Sequence, residues 1–311
     1  VVAMAFAATL SAFTTNAQTT YPTRTIRVIV PFAPGGASDL LPRMAGQKLT
    51  EAWGQQVIID NRPGAAGNIG MELGAKAAPD GYTLLSAPNG NLVVNPHLYA
   101  KLNYDVFRDL APVNLLAAVQ NVFVVHPSLP VKNVRELVAL TKARPGVLTY
   151  ASPGNGSQGH VGVELFKMMA GVDMTHVPYN GVGPALREVL GGQVSLSLAQ
   201  TQAAVAHIRS GKLRAVAAAS KTRLAILPDL PTVAEEPGFR GFEAVSWYAL
   251  MAPASTPRDI ITKLSTELTR IVQLPDIRER LQALGAEPTG NPPEQLLATM
   301  REESEIGRAH V

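Results

Sequence analysis

The sequence predicts an α/β protein of two domains joined by two hinge strands. Strand-like runs alternate with helical ones along almost the whole chain, which is the pattern of βα units with mainly parallel sheets. The 311 residues are two domains' worth at roughly 150 residues each. Two extended runs, at 121–126 and 245–252, bracket a middle stretch. The chain therefore crosses between domains twice, and two crossings make a hinge.

The elements follow in order. TIRVIVPF (25–32) is an apolar, β-branched run and reads as the first strand, followed by the glycine turn APGGASD. LLPRMAGQKLTEAWG (40–54) has helical spacing, with Pro42 expected in the first turn, where a missing N–H costs nothing. QVIIDNRP (56–63) is the next strand, GAAGNIGMELGAKAAPDG a loop and helix closed by Asp80-Gly81, and YTLLSAP (82–88) a third strand. NVFVVHP (121–127) opens the middle stretch as a strand, and VRELVALTKARPG follows as a helix stopped at Pro145-Gly146. VLTYASPGNGSQGH then repeats the first motif of strand, glycine loop and helix, the helix being VGVELFKMMAG. MTHVPYNG, GPALREVLGG, QVSLSLAQ and KLRAVAAAS continue the βα rhythm; VSWYALMAP (245–253) returns as a strand, and 257–273 and 275–285 are amphipathic helices.

Residues 1–17 read as a partial signal peptide: an apolar run, Val1 to Phe13, then small residues Thr15 and Ala17 before a cut. Glu305–Val311 reads as the translation of a sequencing adapter that interrupts a helix, and is excluded from the fold. Domain I is expected at 18–121 plus 249–304 and domain II at 122–248. The net charge of +3 comes from scattered Lys and Arg, so no nucleic-acid track is expected. The absence of cysteine excludes disulfides, thiolate metal sites and cysteine nucleophiles.

Two glycine loops carry the site expectations. In Pro34-Gly35-Gly36-Ala37-Ser38-Asp39, successive glycines let backbone N–H groups approach a ligand, and the helix behind them offers partial positive charge. A tight βα turn with an N-cap accounts for the same residues. Gly154-Asn155-Gly156-Ser157-Gln158-Gly159 matches GxGxxG. No acidic residue ends the next strand, however, so the adenosine ribose of a dinucleotide would lack its partner. NGSQG is not the GxSxG nucleophile elbow, the histidines lack HExxH spacing, and neither loop is followed by a P-loop lysine. No cofactor, metal or catalytic group is expected. His160, beside the second loop, is the one histidine with a site-like address. Ser86, Asn89 and Asn91 follow or end a strand and can line a cleft, and Trp247 or Tyr248 can floor it.

Taken together, PFAPGGASD, RPGAAGNIG, APDGYTLL, the NPHLYAKLNYD run, YASPGNGSQGH, HVPYNGVGPALREVLGGQV, LPDLPTVAE and SWYALMAPASTP resemble the Bug-type substrate-binding proteins of tripartite tricarboxylate transporters. The resemblance runs from about Tyr21 to about Glu303. It implies a type II periplasmic binding protein fold in a monomer that captures a small carboxylate and delivers it to a membrane permease. It also implies that main-chain N–H groups hold one carboxylate. Carried over residue by residue, it points to Phe32, Gly35, Gly36, Ala37 and Asp39 on one lip. On the other it points to Ser152, Gly156, Ser157 and His160, with Tyr179 and Gly181 nearby. Ser86, Asn89, Ala199 and Gln200 complete the expected ligand set. Many relatives have Phe-Asp-Asn where this chain reads Leu198-Ala199-Gln200, and losing the Asp removes a partner for a ligand ammonium. The expected ligand therefore lacks an amino group. A secreted α/β enzyme and a ligand sensor for a signalling receptor stay open as alternatives.

Overall fold

The computed structural model describes residues 21–310, so the segment read as a signal peptide lies outside the described residues. β1 (Ile26–Val30) is built almost wholly of β-branched residues and is buried on both faces, as suits a central parallel strand. α1 (Ala37–Trp53) ends where Gly54 turns left-handed, φ 68°, and returns its N–H to the Thr50 carbonyl. β2 (Val57–Asn61), α2 (Asn68–Ala75), β3 (Thr83–Pro88), the short helices α3 (Asn95–Leu98) and α4 (Val106–Asp109), and β4 (Leu110–Val119) follow. A π-helical turn at Gly90–Val94 links β3 to α3.

The chain then crosses into β5 (Asn121–Val125), α5 (Val134–Ala143), β6 (Thr149–Ser152), α6 (Gln158–Ala170), β7 (Thr175–Pro178), α7 (Val182–Leu190), β8 (Leu196–Gln200), α8 (Thr201–Arg209) and β9 (Arg214–Ala218). It returns as β10 (Ser246–Pro253), α9 (Arg258–Val272), α10 (Pro275–Ala283), β11 (Ala286–Asn291) and α11 (Pro293–His310).

Two sheets result, in the orders β11-β4-β10-β3-β1-β2 and β7-β6-β8-β5-β9. With the edge strand β11 set aside, the first order matches the second read from β9, position for position. β10 in the first sheet and β5 in the second are each the strand that enters from the opposite lobe. Each runs antiparallel to both neighbours. Of the strand pairings, four are parallel and five antiparallel. The sheets are therefore mixed rather than mainly parallel, because each crossing strand arrives against the run of its neighbours.

Each sheet has its own core. Ile26, Val28, Leu84 and Leu250 pack with α1 and α9 residues in the first lobe, and Phe123, Tyr150, Phe166 and Phe242 pack in the second. Between them the hinge is pinned by Asn121. Its Nδ2 donates to the Ala244 carbonyl at 2.7 Å and to Ser246 Oγ at 3.1 Å, tying one crossing to the other.

Three expectations change. Ser246, Trp247 and Tyr248 pair with β4 of the first sheet, and Asn121 opens a strand of the second, so each crossing is displaced from the expected boundary by up to three residues. Pro42 is the sixth residue of α1 rather than in its first turn, because the helix starts at Ala37. The carbonyl that its missing N–H leaves free, that of Ser38, accepts a hydrogen bond from Ser86 Oγ at 2.9 Å. The terminal helix continues to His310 without a break at Glu305.

Candidate functional site

The lobes meet over a cleft that the two glycine loops face from opposite sides. Ala33 N–H donates to the Asn180 carbonyl at 3.0 Å, and Ala37 N–H donates to Gln200 Oε1 at 2.9 Å. Between these contacts the cleft encloses ≈ 40 Å³ of space open to the centre of a water molecule, room for about three waters at ~10–15 Å³ each. Phe32, Gly36, Asn89, Ser157, Ala199 and Gln200 of the expected ligand set line it. Asn91 and Tyr248 line it as well, while Trp247 faces the other side of β10 and donates to Glu303 Oε1 at 2.7 Å.

None of the lining residues is charged. The positive character of the cleft comes from helix starts. Gly36 is the N-cap of α1, Ser157 the N-cap of α6, and Gly181 the N-cap of α7, with Gln158, Gly159 and Val182 at the cavity wall. Among the described residues nothing accepts from the N–H groups of Ser38, Gln158, Gly159, Val182 or Gly183. Such orphan first-turn donors are what an oxyanion satisfies.

The remaining expected residues stand behind this wall. Asp39 is 3% exposed and accepts from Arg43 and Asn61, while Gly35 N–H points to it at 3.4 Å. Burial alone would push the Asp39 carboxyl up, but the bonds from Arg43 and Asn61 and the Arg43 charge outweigh it and hold the pKa below the usual value. Asn61 also donates to the Phe32 carbonyl at 3.0 Å, so Asp39 braces the first loop through its neighbours.

On the second lobe, His160 Nδ1 accepts the Gly156 N–H at 3.2 Å, which removes that donor from the cleft. The His160 ring stacks on His176, centroids 4.4 Å apart, and His176 Nε2 is 2.6 Å from Ser152 Oγ. Ser152 in turn holds Gly154 N–H at 3.1 Å. Gly181 lies against Ala33 at the lobe contact, and Tyr179 packs on the apolar cluster around Ala185 and Val189. Gly35, Ala37, Asp39, Ser86, Ser152, Gly156, His160, Tyr179 and Gly181 thus shape the cleft without forming its wall.

The family model of the tripartite tricarboxylate transporter family receptor, TctC, matches residues 41–308. The chain belongs to this receptor family. Protein BugT of Bordetella pertussis is 40% identical over 277 residues, 89% of this chain and 85% of that one. The solved R. palustris Rpa4515 with adipate is 36% identical with a TM-score of 0.90, covering 93% of this chain and 97% of that one. MatC (Rpa3494) from Rhodopseudomonas palustris with bound malate is 34% identical with a TM-score of 0.88, covering 93% and 99%. The fold is therefore that of the Bug-type periplasmic binding proteins, a family of substrate-binding receptors rather than enzymes.

For this TctC receptor, sequence reasoning missed several wall residues: Ser38, Gly90, Asn121, Gln158, Gly159, Val182, Leu198 and Ser246. Gln158 and Gly159 were within reach, since they are the first two residues after an N-capping Ser. Asn121 and Ser246 were marked indirectly, because each opens one of the two extended crossing runs.

Proposed function

We propose that this receptor is a periplasmic binding protein that closes over one small carboxylate lacking an amino group and delivers it, as a monomer, to the permease of a tripartite transporter. The observation that carries this reading is the set of unbonded first-turn N–H groups, Ser38 on one lobe and Gln158, Gly159 and Val182 on the other, lining a cleft without a charged side chain. An oxyanion satisfies such donors and the helix starts favour it, whereas an ammonium would meet no carboxylate there. The adipate and malate held by the two R. palustris proteins are small carboxylic acids without an amino group, which supports the same class. Phe32, Gly36, Asn89, Ser157, Ala199 and Gln200 are the side chains and backbone proposed to touch the ligand, with Asp39, Ser152, Gly156 and His160 holding the loops in shape. Membership of the tripartite tricarboxylate transporter receptor family supports export to the periplasm and docking on the permease.

The test is a thermal-shift screen of mono-, di- and tricarboxylates and of amino acids. A bound acid at a hundred times its Kd stabilises the folded form by about 2.7 kcal/mol, a readable shift. Gly36→Val brings a branched side chain toward Val182 and Gln200 Oε1, which already lie 3.4–3.6 Å from a Cβ at that position. This variant is expected to abolish the shift while melting cooperatively. Tight binding of aspartate or glutamate, or no response to any acid, would sink the reading.

A further inference from the structure

We propose that the hinge end of the cleft reads a hydroxyl group on the bound acid, with Asn121 and Asn89 as the specificity-determining residues. This receptor then takes hydroxycarboxylates in preference to their unsubstituted parents. The inference rests on the carboxylate reading above and deepens it. Asn121 opens β5 and is 1% exposed, and Asn89 follows the last residue of β3 and is 5% exposed. Both line the cleft. Each is held to the return crossing by its amide nitrogen. Asn121 Nδ2 donates to the Ala244 carbonyl at 2.7 Å, besides its bond to Ser246 Oγ, and Asn89 Nδ2 donates to the carbonyl of the next residue, Val245, at 3.2 Å. A backbone carbonyl only accepts, so turning either amide over would set oxygen against oxygen. The nitrogens therefore stay on the crossing, and each Oδ1 is the free end.

Among the described residues nothing donates to the Oδ1 of Asn121 or of Asn89, and the latter oxygen is fully buried. The glycine loops are the opposite case. Gly36 and Ser38 on one lobe and Gln158, Gly159 and Val182 on the other bring unbonded N–H groups to the wall. The cleft is thus divided by polarity, with donors at the helix starts for the oxyanion and acceptors at the hinge for something else. It has room for about three waters, which an entering acid displaces. An acid with a purely apolar chain strips the two amide oxygens of water and returns no donor, and a buried acceptor left unpaired is costly. A hydroxyl supplies that donor without adding charge. An ammonium supplies donors too, but it would be enclosed in a wall without a carboxylate, beside helix starts of positive potential. The group that fits the hinge end is a neutral donor.

The experiment is calorimetry on wild type and two variants with mono- and dicarboxylic acids of three to six carbons. Each acid is offered in three forms: unsubstituted, with one hydroxyl (lactate, β- and γ-hydroxybutyrate and malate among them), and with an amino group in the hydroxyl's place. For wild type the tightest ligand is expected to be a hydroxy acid, at least tenfold tighter than its unsubstituted parent and than its amino counterpart. Asn121→Leu removes the Oδ1 acceptor at nearly constant volume and is expected to bring the ratio of hydroxy acid to parent at least fivefold closer to one, and Asn89→Leu to move it the same way. A loosened hinge weakens both members of a pair alike and cancels in that ratio. Melting without ligand establishes that each variant is folded, and should one not fold, the other carries the test. A wild type that binds the parent within tenfold of its best hydroxy acid, or a ratio that neither variant moves fivefold, overturns the assignment while leaving the carboxylate reading standing. A wild type that binds the amino form most tightly, or no acid of any form, overturns the carboxylate reading and this inference with it.

Discussion

At the scale of single residues, the polar groups of the cleft sort by what they are already bonded to. Ser86 ends a strand beside the cavity and has the address of a ligand contact. Its hydroxyl instead serves the Ser38 carbonyl, which Pro42 leaves without the helical N–H it would otherwise accept. Ser86→Ala removes the hydroxyl donor to the buried Ser38 carbonyl, and a buried polar group left unpaired costs ~1–3 kcal/mol. Urea denaturation should show a loss of that order, with acid affinity per folded molecule unchanged; a loss of affinity with full stability would instead make Ser86 a ligand contact. Asn121 follows the same logic at the hinge. Its side chain is buried, with donors on Ala244 and Ser246. Asn121→Leu leaves the Ala244 carbonyl short of a partner, and a cost of ~1–3 kcal/mol is again expected, measurable as a lowered denaturation midpoint.

At the scale of elements, the start of α6 depends on neutral histidines. His160 Nδ1 can accept the Gly156 N–H only while that nitrogen is unprotonated. Burial lowers the His160 pKa, and burial followed by the facing His160 ring lowers His176 from 6.5 to about 4. Glu164 and Lys167 of α6 are the charged neighbours, one raising and the other lowering both rings. Between about pH 6.5 and 4 the unfolded chain takes up a proton at His176 that the folded chain refuses. Stability therefore falls as pH drops through that window and flattens below it. Melting temperatures from pH 7 to 4.5 should fall less steeply for His176→Gln than for wild type; parallel curves would mean that the ring is not held neutral.

Much of this layer was legible in the chain: the glycine loops, the strand before each, and both crossing runs follow from period and turn chemistry. β4 was not, because Pro112 and Asn114 interrupt its apolar run and Asn114 finds its partners only on a distant helix, donating to Thr269 Oγ1 and to the Ser265 carbonyl. β11 has too little apolar alternation to announce a strand. Which loop N–H groups stay available was illegible too. Gly156 is taken by a ring one helical turn onward and Ala37 by an amide 163 positions away, and only the assembled fold makes those pairings.

At the scale of the whole molecule, the two lobes hold separate cores and meet through a few backbone and side-chain contacts, so closure can be blocked without unfolding either one. Gly90, in the π-helical turn of the first lobe, approaches the second-lobe loop so closely that a Cβ there would lie 2.4 Å from the Gly156 carbonyl oxygen. That oxygen belongs to backbone held by Ser157 and His160, and a real Cβ does not survive such a distance. Gly90 itself has no left-handed φ, so alanine fits its local conformation and the clash arises only between lobes. Gly90→Ala is therefore expected to keep the circular dichroism of the parent while holding the hinge about Asn121 open. Small-angle scattering should show a larger radius of gyration that a saturating acid does not contract, and the acid-induced melting shift should vanish. Since the orphan N–H groups of α6 and α7 remain intact in this variant, a normal shift would mean that one lobe binds the acid alone and that closure adds nothing to its capture. Loss of the shift with both lobes folded would place the binding energy in the act of closing, where exclusion of water strengthens each N–H to carboxylate bond.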